Sequence, residues 1–177
     1  MAGVTTPGWP AAEQIRTHRL TLEPLAVAHA DAMVSVLAAP DMYAFSGGTP
    51  PTRDDLVRRY QGQTTGRSPD GTQGWLNWVL RLRATGALAG TVQATVERRD
   101  TEVVAAIAWV VAQREQGRGY AGEAATAMAS WLRAHGVTTL TASIHPDHLA
   151  SHAVARRVGL TPTGEVDDDG EELWRGR

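Results

Sequence analysis

Gln113-Arg114-Glu115-Gln116-Gly117-Arg118-Gly119-Tyr120-Ala121-Gly122 is the stretch on which the reading of the chain turns. Before it, Glu102 to Val111 is rich in β-branched residues and reads as a strand. After it, Tyr120, Ala124, Met128, Trp131, Leu132 and His135 keep helical spacing until Gly136 stops the run. A Gly-rich bend that opens a helix presents backbone N–H groups at the positive end of the helix dipole, which makes an anion site. Gly117 and Gly119 let main chain approach a pyrophosphate, and Arg118 adds a cation. Two other readings stand beside this one. Glycines at a helix start can serve the turn alone. Gly117, Gly119 and Gly122 also satisfy G-x-G-x-x-G, but a dinucleotide site needs the first glycine directly after a parallel strand and an acidic residue about 20 positions on. Here Gln113 to Gln116 intervene, and the next strand ends in Ser143-Ile144.

Working outward, Arg19 to Glu23 alternates as a short strand ended by Pro24, and Leu25, His29, Ala32, Met33 and Val36 form a helical stripe closed by Pro40. Thr52 and Asp55 make a capping box for a second helix that buries Leu56 and Tyr60 and ends near Gln63. Trp75–Leu82, Ala87–Glu97 and Glu102–Val111 read as an antiparallel meander. Past the Gly-rich turn and its helix come a strand over Thr139 to Ile144 and a helix from Leu149 to Val158, ended by Gly159. A final hairpin folds around Asp167-Asp168-Asp169-Gly170. The pattern predicts an α/β fold, with residues 1–15 a flexible segment and 16–177 one domain.

Composition narrows the chemistry. The chain has 177 residues and a net charge of −2, so no global basic field is available to hold a nucleic acid or an anionic membrane. All its basic residues other than His are Arg. Without Cys there is no disulfide, thiolate zinc site or cysteine nucleophile, and without Lys there is no Schiff base or ordinary P-loop. Met1 to Gln14 has no apolar leader, and the longest apolar run, Val103 to Ala112, is about half the roughly 20 residues of a membrane span. A cytoplasmic protein is expected.

The match extends from the turn to a family. Gln116-x-x-Gly119-x-Ala121 resembles the [RQ]-x-x-G-x-[GA] signature of the GNAT acyltransferases, the Gcn5-related N-acetyltransferases. Thr17-His-Arg-Leu-Thr-Leu-Glu-Pro-Leu25 is similar to the opening strand of their RimJ/RimL branch, and Ile107-Ala-Trp-Val-Val111 to its fourth strand. His145-Pro-Asp-His-Leu-Ala-Ser151 with Val158-Gly-Leu160 resembles its late N-x-x-S and G-F elements. The resemblance implies a GNAT-like mixed, mostly antiparallel seven-stranded sheet flanked by about four helices. It implies acetyl-CoA as co-substrate, no metal, and an amine acceptor. A homodimer is compatible with the family.

Residue by residue, it implies a bulged strand splayed from its neighbour, with the main chain of Trp109, Val110 and Val111 beside the acetyl group. An N–H near Val111 would polarise the thioester carbonyl. Gln116, Gly117, Arg118, Gly119, Tyr120, Ala121 and Gly122 would take the pyrophosphate. Ser151 is the candidate general acid for the departing thiolate, and His148 stands where the family has Asn. Many relatives place a Glu on this strand just before the site, but Val104-Ala105-Ala106-Ile107-Ala108-Trp109 has no carboxylate, so the base comes from elsewhere: a water chain, His145 or Asp41. The spacing of His145, His148 and His152 also admits a metal site, without a carboxylate or histidine cluster to complete it.

Acceptor contacts are expected from Asp41, Tyr43, Phe45, Trp75 and Trp78, with Asp167 to Asp169 nearby; the alternatives are core tryptophans and a solvated hairpin tip. Two acceptor classes stay open, a peptide or protein N-terminus and a small amine. An acyl-CoA-binding sensor without turnover is the reading from a different class. With no Cys or Lys, an acetyl-enzyme on either residue is excluded, and direct attack by the amine is the simplest reaction.

Overall fold

A computed structural model describes residues 8–177. The chain runs β1 (Ile15–Arg16), β2 (Leu20–Pro24), α1 (Ala30–Val36), α2 (Arg53–Gln63), β3 (Gln73–Leu82), β4 (Leu88–Arg99), β5 (Glu102–Val111), α3 (Tyr120–Ala134), β6 (Thr139–Ile144), α4 (Leu149–Val158), β7 (Thr161–Val166) and β8 (Glu172–Gly176). The strands form one sheet in the order β1-β2-β3-β4-β5-β6-β8-β7. Among the described residues the sheet has eight strands. The expected seven become eight because Ile15 and Arg16 pair with Leu22 and Thr21 as an edge.

Every neighbouring pair is antiparallel except β5–β6, which is parallel with α3 as its crossover. Strand alternation sorts the side chains between two layers. Leu76, Trp78 and Leu80 of β3, Val92, Ala94 and Val96 of β4, and Ala105, Ile107 and Val111 of β5 pack in one buried cluster with Ala124, Ala125, Met128 and Leu132 of α3. Val79 and Leu88 close a second cluster with Met33 and Val36 of α1 and Leu56 and Tyr60 of α2. The Thr52 box forms as expected: Asp55 N–H donates to Thr52 Oγ1 at 3.2 Å, and Thr52 N–H donates to the Asp55 carboxylate at 2.9 Å.

Of the segment 1–15 expected to be flexible, residues 1–7 lie outside the described residues, and residues 8–14 form no helix or strand but touch the sheet. Trp9 packs on Gly74 and under the Arg98 guanidinium, 4.3 Å from ring centroid to charge, and the Glu13 carbonyl accepts the Trp78 indole N–H at 2.7 Å. Trp78 is buried edge-on to Trp131, so its ring supports the sheet, while the residue lies at the base of a small cavity beside Asn77 and Gln93. Trp75 lies on the opposite face of β3, in a row with Thr95 and Ala106, and lines neither cavity.

Gly90 is fixed by close approach. Its φ is +159, and a Cβ there would drive into the carbonyl oxygen of Val110 on β5. Gly90→Ala therefore pushes β5 away from β4. The expected cost is about 1–3 kcal/mol, read as a lower urea midpoint with an unchanged slope.

Candidate active site

The site begins where one ladder stops. β5 and β6 pair at Val104–Thr139, Ala105–Leu140 and Ala106–Thr141, and no further. Beyond that point β5 continues against β4 to Val111, while β6 continues against β8 to Ile144. The two strands diverge, and a groove of about 710 Å³ opens between them. Its wall includes Trp109, Val111, Ser143, His145, His148 and Ser151.

Parity decides which main-chain groups face that groove. Ala112 N–H donates to the Ala89 carbonyl at 2.8 Å, and the register from Gly90–Val111 to Arg99–Glu102 is unbroken. In such a ladder Ala108 and Val110 bond to β4, and Trp109 and Val111 turn their N–H groups the other way, into the gap. The resemblance implied a bulge; the regular register shows none, and the splay comes from loss of the β6 partner. Val110 also lines the groove, but not through a free main-chain N–H. Its main chain serves β4, and it offers its side chain, 40% exposed, to the opposite face. The Val111 carbonyl is taken by Gln116 Nε2 at 3.0 Å, which ties the turn to the strand end.

The far end of the groove is the Gly-rich turn. Gly117 and Gly119 sit at φ +75 and +80, the left-handed conformation that glycine adopts without a Cβ penalty. Gly119 precedes the first residue of α3, and its carbonyl accepts the Glu123 N–H at 3.1 Å. The N–H groups of Tyr120, Ala121 and Gly122 lie in the first turn, where no intrahelical carbonyl serves them, and all three residues line the groove. Glu123 anchors this helix start: it accepts from Thr17 Oγ1 at 2.6 Å, Arg19 N–H at 2.8 Å and Arg19 Nε at 2.7 Å. Burial pushes its carboxyl up, but these donors outweigh burial and hold it below its ordinary pKa.

A family model described as an acetyltransferase (GNAT) domain matches residues 19–161. The chain belongs to the GNAT acetyltransferase family. Among curated proteins no sequence relative matches. Among solved structures, an acetyltransferase from Agrobacterium tumefaciens is 27% identical, covering 97% of this chain and 98% of its own, with a TM-score of 0.69. A Salmonella typhimurium acetyl transferase that modifies the N-terminal serine of ribosomal protein L7/L12 shares the fold at TM-score 0.72 and 17% identity, over 92% of this chain and 96% of its own. Aminoglycoside acetyltransferase AAC(6')-Ib, solved with coenzyme A, does so at TM-score 0.72 and 18% identity, over 89% and 94%. No helix among the described residues is long and apolar enough to cross a membrane.

Within this GNAT groove the expected residues separate. Ser151 accepts the Trp109 indole N–H at 3.2 Å, so a hydroxyl lone pair is occupied and its proton is free to be donated. His148, not Ser151, caps α4: its Nδ1 accepts the Ser151 N–H at 3.4 Å, which leaves Nε2 as the N–H donor of the neutral ring. Burial, then His152 and His145, lowers the His148 pKa and favours that neutral form. Phe45 stacks on His148 with ring centroids 4.5 Å apart, and tilts against His145 at 5.2 Å.

Three expectations change. Arg118 lies outside the groove, 3.1 Å from the Glu115 carboxylate, while its carbonyl holds Arg19. His145 Nδ1 accepts the Asp147 N–H at 3.2 Å; with that lone pair engaged, the ring presents N–H at Nε2 and is a poor base. Asp41 accepts from Gln113 Nε2 at 3.0 Å and lines neither cavity. Tyr43 donates its hydroxyl to the Leu37 carbonyl at 2.9 Å while lining a second, smaller cavity behind Val110. Among the described residues no three His, Asp or Glu side chains are placed to hold a metal; His152 is instead buried against Trp174.

Two groove residues were not singled out from sequence. Arg157 lies over Gly122, its Cδ 2.9 Å from where a Cβ would stand, and brings a cation to the helix start. Its signal was the stripe Ala150, Ala153, Val154 and Arg157, one face of α4. Glu171 lines the acceptor end, and burial, then Asp167 and Asp169, raise its pKa.

Proposed function

We propose that the chain transfers an acetyl group from acetyl-CoA directly to the primary amine of a small molecule or of a peptide or protein N-terminus. The observation that carries this reading is the pair of unpartnered N–H groups, Trp109 and Val111, facing a groove whose far end is a left-handed glycine turn at a helix start. Bound acetyl-CoA supplies the thioester. The N–H groups of Trp109 and Val111 would hold it as an added strand, the helix start with Gly117, Gly119 and Arg157 would hold its pyrophosphate, and His148 Nε2–H would donate to its amide.

The chain's own groups then divide the work. Val111 N–H stabilises charge developing on the carbonyl oxygen. Ser151 gives its hydroxyl proton to the sulfur, with the Trp109 indole fixing which lone pair is occupied. Glu171, which lines the groove with His145, takes over the role of base; burial, then Asp167 and Asp169, raise its pKa and make it a stronger base than an ordinary carboxylate. The lack of Cys and Lys fits transfer without an acetyl-enzyme on either residue.

Ser151→Ala is expected to lower kcat by about 10²-fold while the acetyl-CoA dissociation constant stays within about threefold, measured by thiol release and calorimetry. Lost cofactor binding would remove the acid assignment. A base works deprotonated, so wild-type kcat/KM rises with pH through the raised Glu171 pKa; in Glu171→Gln that ascending limb is expected to vanish. A limb that survives places the base elsewhere.

A further inference from the structure

The smaller cavity, behind Val110, is placed to read the rest of the acceptor. It holds about 150 Å³ on the face of the sheet that carries α1 and α2 and shares Met42, Ser46 and Val110 with the cofactor groove, so it adjoins the point of transfer. Its floor has Asn77 of β3 directly opposite Gln93 of β4. Its wall is α2, which the Thr52 box fixes and which brings Arg59 and Tyr60 together.

What lines the cavity is one-sided. It has no Asp or Glu, and Arg59 has no carboxylate at ion-pair distance among the described residues. The Arg59 charge is felt at the hydroxyls of both Tyr43 and Tyr60. The Tyr60 hydroxyl is buried with no hydrogen-bond partner, and burial pushes its pKa up to about 12, so it remains a protonated donor. Asn77, half-buried, and Gln93, exposed to solvent, also line the cavity and make no side-chain hydrogen bond within the described residues. A buried donor without an acceptor is unusual in a folded chain and asks for one from outside.

We propose that this cavity receives a carboxylate of the acceptor, paired with Arg59 and hydrogen-bonded by Tyr60, so that the substrate is a primary amine bearing a carboxylate a few bonds away. The inference rests on the acetyl-transfer reading above. A polyamine or aminoglycoside would place a further cation against Arg59 with no counter-charge in the cavity. The same chemistry is presented by a free amino acid and by an acidic side chain beside a peptide N-terminus.

The test measures thiol release from acetyl-CoA, and calorimetric binding in the presence of CoA. The acceptors are free α- and ω-amino acids, each matched with its carboxamide and with the diamine of equal length, alongside peptides with Asp or Asn at the second position. The expected result is a preference for acid over amide of at least about 10-fold in kcat/KM, and a larger one over diamine. Arg59→Met and Tyr60→Phe, both conservative in bulk, are expected to bring the acid-to-amide ratio toward one. A preference confined to the Asp peptides supports the carboxylate and assigns it to a peptide. Equal use of amides or diamines, or an acid preference that survives Arg59→Met, overturns the proposal. Arg59-dependent acid binding without thiol release from any amine keeps the cavity and removes acetyl transfer; neither binding nor release removes both.

Discussion

Past Ala106 and Thr141, β5 and β6 part company while each keeps its other partner, β4 on one side and β8 on the other. That divergence leaves the N–H groups of Trp109 and Val111 without a strand to bond, in the middle of the sheet. An exposed edge in the middle of a sheet is a liability unless something extended occupies it. Everything else in the site is arranged around the gap. The crossover helix that a parallel pair requires begins at its mouth, so the anion site and the free edge come from one βαβ unit. Gln116 binds the Val111 carbonyl and ties the two together, and the Trp109 indole reaches across to Ser151 on α4.

The electrostatics are local, as a chain of net charge −2 requires. At the glycine turn the obvious cation, Arg118, is paired with Glu115 outside the groove, and the helix start and Arg157 on the neighbouring helix face it. At the acceptor end two surfaces of opposite character meet. Glu171 stands near the Asp167 to Asp169 turn, and Arg59 and Tyr60 stand in the cavity behind Val110. An amine that also carries a carboxylate satisfies both.

Much of this was legible before any coordinates, and the failures have physical causes. The glycine turn, the capping box at Thr52 and the meander were readable because glycine, side-chain caps and period-two alternation act locally. Ser151 was reachable through the family motif. Arg118 failed because sequence shows a charge and not its partner, Glu115. Trp78 and Trp75 look alike in a strand, yet strand parity buries one against Trp131 and leaves the other on the opposite face. His145 failed on a single hydrogen bond from Asp147 that sets its tautomer. Arg157, Glu171 and Arg59 matter only because α4, the last hairpin and α2 converge on one cleft, which no local pattern announces.

The groove depends on the two unbonded N–H groups in the gap, and amide hydrogen exchange reads them directly. In the free protein the amides of Trp109 and Val111 are expected to exchange rapidly, while those of Ala108 and Val110, bonded to β4, are protected. Saturating acetyl-CoA is expected to slow Trp109 and Val111 by at least about 10-fold and to leave Ala108 and Val110 protected. Acetyl-CoA binding with unchanged exchange at Trp109 and Val111 would contradict that dependence.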